Sequence, residues 1–392
     1  MNIIIVGAGA SGLSAAISLK RKHPKFNITL LERKDKIGSK ILASGNGKCN
    51  IGNSNLDKKY YNNEEFYNKH LSLMYKDYLE FLSYNNIYIK ELTENRMYPF
   101  SESSKSVYQA LKYMLDKLNI NVIYNTCIVN FKQKNNKIYV YDSNNNEFIC
   151  DKLILSTGGT TYKELGCDIT ILNLLKNKNV NVTKLRPSLT GFILKDKVSD
   201  LFGLRLKCKA SLLDKNNNKE IVSEVGEVIF KKDGISGIAI MNLSFYMNKL
   251  NIDVHKIKLA LDLFYDNNDD LLKMFNNSNN SLIGIIDEKL IKHYNLKKDL
   301  KSINLLKNLT FEIDDVYGFD YAHVTSGGID LNEIKNNFEF KKYPNVYAIG
   351  EVLNIDGLCG GYNLYNAICN GIKVGELSFE DINNWYQGRT WF

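Results

Sequence analysis

Asn2-Ile3-Ile4-Ile5-Val6-Gly7-Ala8-Gly9-Ala10-Ser11-Gly12-Leu13 opens the chain, and Asn27-Ile28-Thr29-Leu30-Leu31-Glu32-Arg33 follows a short distance on. The first five of these residues form an apolar, β-branched run, the pattern of a parallel strand buried on both faces. Leu13, Ala16, Ile17 and Leu19 then recur at helical spacing, with the small Ala15 among them. A second apolar run ends at Glu32. Strand, glycine turn, helix and strand in this order make a βαβ unit, and a G-x-G-x-x-G fingerprint in that context binds an adenine dinucleotide. Gly7 permits the tight turn, Gly9 lets backbone approach a pyrophosphate, and Gly12 lets helix and strand pack closely. The N–H groups at Ala10 and Ser11 open a helix whose positive dipole end attracts phosphate. Glu32 can accept from both ribose hydroxyls while repelling a 2′-phosphate, and Arg33 lies beside it. An ordinary βα turn with a chance acid is the plain alternative. The unit alone does not separate FAD from NAD.

The segments further out favour FAD. A loop rich in Gly, Ser, Asn and Lys runs from Gly38 to Asn55. Helices are predicted over Asn63 to Asn85 and Ser103 to Leu118, and a small antiparallel meander over Asn121 to Cys150. Asp151 to Ser156 reads as another strand. It is closed by Thr157-Gly158-Gly159, where side chains would obstruct a cofactor. From Arg186 to His323 alternating segments suggest antiparallel strands, and Asp269 to Leu305 reads as mostly amphipathic helix. The end regains α/β character: a strand over Asn345 to Ile349, then Gly350-Glu351, then Gly357-Leu358-Cys359-Gly360-Gly361-Tyr362-Asn363 before a helix from Leu364 to Leu377. A second helix N-terminus can stabilise negative charge near N1/O2 of a reduced flavin. Glu351 can accept from a ribityl hydroxyl. A plain loop before a helix is the bland reading of the glycine pair.

Bulk properties narrow the class. At 392 residues the chain has room for two domains, and 44% hydrophobic with 24% charged residues is ordinary for a globular protein. The formal charge of +8 is spread over lysines scattered among asparagines. That favours a solvated surface over a nucleic-acid or membrane patch. Seven cysteines without a C-x-x-C pair argue against a complete disulfide framework, and five histidines not grouped with them argue against a metal site. No run is long enough to span a membrane, and no basic leader precedes the first strand, so the expected compartment is the cytoplasm.

The chain resembles the BaiN/YhiN-type family of NAD(P)/FAD-dependent flavoproteins, which includes enzymes named aminoacetone oxidases. The resemblance rests on Val6 to Leu13 and on Lys40-Ile41-Leu42-Ala43-Ser44-Gly45-Asn46-Gly47-Lys48-Cys49-Asn50. It continues through Ser156 to Gly159, Gly234-Ile235-Ser236-Gly237 and Thr325-Ser326-Gly327-Gly328-Ile329. It ends with Gly350-Glu351-Val352 and Asp356-Gly357 leading to Gly360-Gly361-Tyr362-Asn363. These stretches keep the family's order over nearly the whole chain. The resemblance implies an α/β fold: a Rossmann-like FAD domain from residues 1–185 and 324–392, with residues 186–323 forming a β-barrel-like insert that carries a small helical cap. It places the Gly38 to Asn50 loop beside the pyrophosphate and isoalloxazine, where Lys40 and Lys48 would offset phosphate charge. Cys49 and Cys359 read as packed, inert thiols. Three departures stand out. Lys48 replaces a usual Arg, Cys167-Asp168-Ile169 shortens a Gly-rich turn, and Ile238 replaces a usual Pro.

The expected activity is hydride exchange between flavin N5 and a small organic substrate or NAD(P)H. With only one complete dinucleotide fingerprint, a nicotinamide would bind transiently, and an oxidase handing electrons to O₂ stays open. An RNA-modifying flavoprotein and a non-enzymatic flavin sensor are the other classes. Neither the substrate nor the oligomeric state can be read, and no catalytic role is assigned to His323, Arg96 or Tyr98.

Overall fold

In the computed structural model, which describes residues 1–266, 273, 274, 277 and 282–377, the opening run is the central strand of a parallel sheet. This strand, β1 (Asn2–Val6), pairs on one side with β2 (Asn27–Leu31) and on the other with Lys152–Leu155. Val346–Ala348 extends the sheet beyond Lys152–Leu155, and Asn121–Ile123 extends it beyond β2. The apolar side chains of Ile3 to Val6 are all buried, as a strand covered on both faces requires.

Helix α1 (Ala10–Lys22) buries Leu13, Ala15, Ala16, Ile17 and Leu19. Its outer side meets the helix Tyr362–Gly375 through small residues. A Cβ on Gly371 would lie 2.5 Å from Ser11 O, and one on Gly375 would lie 2.2 Å from the Ser18 Cβ. Such close helix approach needs residues this small. It locks the beginning of the chain to the end of the described chain in one layer over the sheet.

Between these ends six strands close into a barrel, in the order Phe192–Leu194, Gly234–Ser236, Glu220–Phe230, Arg205–Asp214, Ile257–Asp262, Leu309–Val316. Phe192, Phe230, Phe311 and Ile313 fill its core, and Leu290, Ile303 and Leu306 from two short helices join the same cluster. The expected barrel with a helical cap is therefore present. Arg186–Ser188 pairs antiparallel with Val324–Ser326, a two-stranded connection where the chain enters and leaves this region.

Three expectations change. The helix predicted over Asn63 to Asn85 is two helices, Glu64–His70 and Tyr75–Tyr84, because the Ser72 and Leu71 amides both turn back onto Tyr67 O. Asn121–Ile123 is not part of the meander; it takes the edge of the parallel sheet, and the meander is Ile128–Lys134, Lys137–Asp142 and Glu147–Cys150. Of the amphipathic helix over Asp269 to Leu305, Glu288–Tyr294 and most of Leu300–Lys307 fall within it, and most of its first part lies outside the described residues. Among the described residues no helix is long and apolar enough to cross a membrane, and no group of three or more His, Cys, Asp or Glu is arranged to hold a metal ion.

Candidate functional site

A cavity of about 700 Å³ runs past the C-terminal ends of the parallel strands, between the sheet and the barrel. That is the volume of a ligand site, in the crevice where open α/β sheets place one. Gly7, Gly9, Ala10, Ser11, Glu32, Arg33, Thr157 and Gly158 line one part of it. Lys40, Gly45, Asn46, Lys48, Asn50, Glu351, Gly360, Gly361 and Asn363 line the rest.

The three fingerprint glycines do different work. Gly7 has φ 99°, and a Cβ there would fall 2.6 Å from Ser156 O. A Cβ on Gly12 would fall 2.0 Å from Gly7 O, so this residue packs helix on strand and does not line the cavity. A Cβ on Gly9 would meet nothing within 4 Å; it would project into open cavity. Helix α1 has no side-chain cap and no acid in its first turn, leaving its N–H groups available to an anion.

Glu32 Oε2 accepts from Ala8 N at 2.7 Å, and Oε1 accepts from Lys34 N at 2.9 Å. Burial lifts this carboxyl above the usual range, and the surrounding backbone N–H groups draw it part of the way back. Arg33 turns to Asp168 in an ion pair that outweighs the burial opposing its charge.

At the other end the loop Ser44–Gly47 and the start of Tyr362–Gly375 meet. Gly45, Asn46, Gly47 and Cys49 all have positive φ, a concentration of left-handed backbone typical of a functional turn. With its amide nitrogen facing the carbonyls of Met97 and Gly52, Asn50 accepts from Gly361 N at 3.2 Å. Asn363 closes the second loop by accepting from Gly357 N at 2.9 Å and donating to Gly357 O at 2.8 Å. The helix behind it again has no side-chain cap and no acid in its first turn.

Several candidates are engaged by other protein groups or lie off the cavity lining. Lys40 donates to Glu351 Oε2 at 2.7 Å and to Thr161 at 3.1 Å. Burial opposes its charge, yet Glu351 holds the ammonium above its ordinary range. Glu351 in turn accepts from Thr325 N at 3.0 Å, so both side chains first serve each other. Lys48 reaches Glu102 at the rim. Gly47 is exposed, and Cys49 is buried with its thiol pushed up to about 11 by burial. Gly159 packs on Thr325 and Glu351, and Gly350 packs on Ser11. Tyr362 lays its ring near Tyr60 and Tyr61 and donates to Asn55 O. None of these last five lines the cavity.

The structure also brings in residues that the sequence left without a role. Arg96, Tyr98, Tyr162, His323 and Cys359 line the cavity, and Leu189, Ile238, Met241 and Leu358 give it an apolar wall. Ile238, the residue in place of Pro, is the first residue of its helix, where either residue is tolerated. All seven cysteines are free, and burial pushes the Cys359 thiol up to about 12. Only spatial contact links these residues, so no spacing in the sequence marks them. The donor set suits FAD: open space at Gly9 beside one uncapped helix N-terminus, a second such terminus at the far end, and a carboxylate at the end of β2.

The family model described as HI0933-like protein Rossmann domain matches residues 1–377. Among curated proteins the chain is 28% identical to a 3-dehydro-bile acid delta(4,6)-reductase of Clostridium scindens, over 96% of this chain and 98% of that one. It is 25% identical to a ribosomal RNA dihydrouridine synthase of Escherichia coli, over 92% of this chain and 93% of that one. Among solved structures it is similar to a 3-ketosteroid-delta4-(5alpha)-dehydrogenase from Rhodococcus jostii, with 13% identity, 95% coverage of each chain and a TM-score of 0.48. The chain belongs to the HI0933-like family and is an FAD-dependent oxidoreductase.

Proposed function

We propose that this enzyme reduces a carbon–carbon double bond conjugated to a ring carbonyl. The observation that carries the reading is the far end of the cavity. There an apolar wall of Leu189, Ile238, Met241 and Leu358 faces a few protic side chains, a setting for a flat, uncharged ring. The relatives support it from another side. A 3-oxo steroid with Δ4,6 unsaturation and a uracil ring are different molecules, yet both present C=C next to C=O, and both named activities saturate such a bond. FAD, when bound, supplies the hydride from N5.

The chain's own residues bind and orient. The N-terminus of α1 and the open backbone at Gly9 receive the pyrophosphate, and Glu32 faces the adenosine ribose. The N-terminus of Tyr362–Gly375, set by Asn50 and Asn363, offers N–H groups where negative charge builds on reduction. The remaining candidates, from Thr157-Gly158 to Gly360-Gly361, let backbone pass close to the cofactor. We assign residues 1–185 and 324–392 to this cofactor domain and residues 186–323 to the domain that completes the substrate wall. NAD(P)H serves as a transient hydride donor, since one dinucleotide fingerprint is already committed to FAD.

Anaerobic stopped-flow tests this directly. NADH or NADPH should bleach the flavin, and a 3-oxo-Δ4 steroid or a uridine-containing RNA should restore its colour. Restoration by O₂ alone would replace this reading with an oxidase. The steroid and RNA arms separate the two substrate classes; the E. coli relative and the +8 charge keep RNA as the second reading.

A further inference from the structure

His323 is held by its backbone, not by its ring. Its N–H donates to Leu189 O at 3.2 Å, and its carbonyl accepts from Thr161 Oγ1 at 3.5 Å. The ring sits edge-on to that of Tyr162, with centroids 6.2 Å apart, and both side chains line the cavity. Among the described residues neither the Tyr162 hydroxyl nor a His323 ring nitrogen has a hydrogen-bond partner. His323 is exposed and Tyr162 half-buried, so both unpaired groups are open to a ligand that enters the cavity. The backbone sharpens the point. Tyr162 has φ 57° and ψ 61°, and Leu189 has φ 53°. A bulky residue in this region is strained and persists where surrounding structure imposes it, most often at active sites. Two such residues flank His323.

Resting on the proposed ene reduction, we propose that Tyr162 and His323 are its catalytic donors, His323 hydrogen-bonding the carbonyl oxygen and Tyr162 giving its proton to the α-carbon. The hydride carries two electrons to the β-carbon and forms the first C–H bond. The π pair of the C=C bond moves toward the carbonyl, and the second C–H bond forms when that pair takes the Tyr162 proton at the α-carbon. Water then reprotonates the tyrosinate, while NAD(P)H supplies the next hydride. The charged side chains of the cavity are committed to other partners. Lys40 and Glu351 hold each other, Arg96 pairs with Glu94, and Arg33 pairs with Asp168 beyond Glu32. The protonation states agree with these roles. Desolvation of the ring at the cavity wall, aided by the Lys40 charge, lowers the His323 imidazole, so at neutral pH it is an uncharged N–H donor. Burial raises the Tyr162 phenol despite the pull of Lys40, so it carries its proton.

The test uses the FAD-loaded full chain. In Tyr162→Phe, flavin content and reduction by NAD(P)H should be unchanged, while reoxidation by the enone slows by about 10²–10⁴-fold, the usual worth of a general acid. In His323→Leu, binding of an unreactive saturated ketone, read from the flavin absorbance shift without turnover, should weaken by about tenfold, and His323→Asn should recover part of it. Reoxidation of Tyr162→Phe at the wild-type rate, or the same loss appearing in Cys359→Ser or Tyr98→Phe instead, overturns the assignment. A wild type that no enone reoxidises overturns the proposed function and this inference together; an active wild type with an active Tyr162→Phe overturns only this inference.

Discussion

The two ends of the cavity are assembled in opposite ways. At the adenosine end residues 2–32 supply strand, turn, helix N-terminus and carboxylate in one continuous unit, and each glycine is fixed by a nearby backbone atom or by the cavity itself. At the reacting end the wall is collected from segments as distant as Ser44 to Asn50, Arg96 to Tyr98, Tyr162, Met241, His323 and Leu358 to Asn363. Local covalent order defines the first end. Only tertiary packing of the barrel against the sheet defines the second. Changes at the first end should therefore act through fold or cofactor affinity, and changes at the second through charge pairing and proton balance.

The largest effect separates two neighbouring glycines. Gly12→Val places atoms where Gly7 O lies 2.0 Å and Ser156 Oγ 2.6 Å from a Cβ, so the helix must leave the strand. Overpacking of this kind costs about 3 kcal/mol or more, and we expect the variant to purify without flavin and with a strongly lowered Tm. Gly9→Ala meets nothing within 4 Å. Its flavin-free form should melt like the parent, while FAD binding weakens by at least about tenfold because the new methyl occupies the phosphate's space. Equal damage from both substitutions would show that the cavity beside Gly9 is not the pyrophosphate site.

Asp356 gives the next effect. This residue is buried near the start of the second glycine loop; Oδ2 accepts from Ser188 Oγ at 3.0 Å and Oδ1 has no partner. Burial pushes its carboxyl up to about 7, against an ordinary 3.8. Between those values the unfolded chain has lost the proton and the folded chain keeps it. The folded state therefore binds more protons, and stability falls as pH rises from about 4 to about 7, then levels off. The full loss is at most about 4 kcal/mol. Asp356→Asn should flatten that slope, leaving the variant relatively more stable at pH 8 than at pH 5. Melting curves that shift in parallel with the parent across this range would sink the assignment.

How much of this was legible follows from the same contrast. Residues 2–32, the strand over Lys152–Leu155 and the terminal glycine loop were readable because periodicity and turn chemistry act over a few residues. The resemblance supplied the barrel and its cap. The pairing of Lys40 with Glu351, 311 positions apart, was not readable, and each lysine looked free to meet a phosphate. Arg96, Tyr98 and His323 were visible as residue types, yet nothing in their spacing reveals that they share a wall. The break at Leu71 was hidden for another reason: Leu71, Leu73 and Met74 keep the apolar content of a helix while the backbone turns.

The Lys40–Glu351 pair should respond as a unit. The side chains are 27% and 19% exposed, so solvent screens part of their attraction but not all of it. Lys40→Met or Glu351→Gln alone leaves one charge without its partner and should cost about 1–3 kcal/mol in chemical unfolding. The double variant should cost less than the sum of the two. Simple additivity would mean that each residue meets something other than its partner.

Lys48 provides the smallest effect. It stands where the resemblance leads one to expect Arg, at the rim of the cavity rather than beside a helix N-terminus, and it shares Glu102 with Lys90. Its side chain is 58% exposed, and an ion pair in that setting contributes little to stability. Removing it leaves Glu102 still paired with Lys90, so no buried charge is stranded. Lys48→Ala should therefore leave the unfolding midpoint nearly unchanged and alter FAD affinity by less than about threefold, because one exposed charge at this distance is screened by salt. Lys48→Arg should behave the same way, since a guanidinium gains over an ammonium only where two oxygens are presented to it together. A tenfold gain in FAD affinity for the Arg variant, measured by flavin fluorescence on release, would place this side chain on the cofactor phosphates and move the boundary between the two ends of the cavity toward the loop.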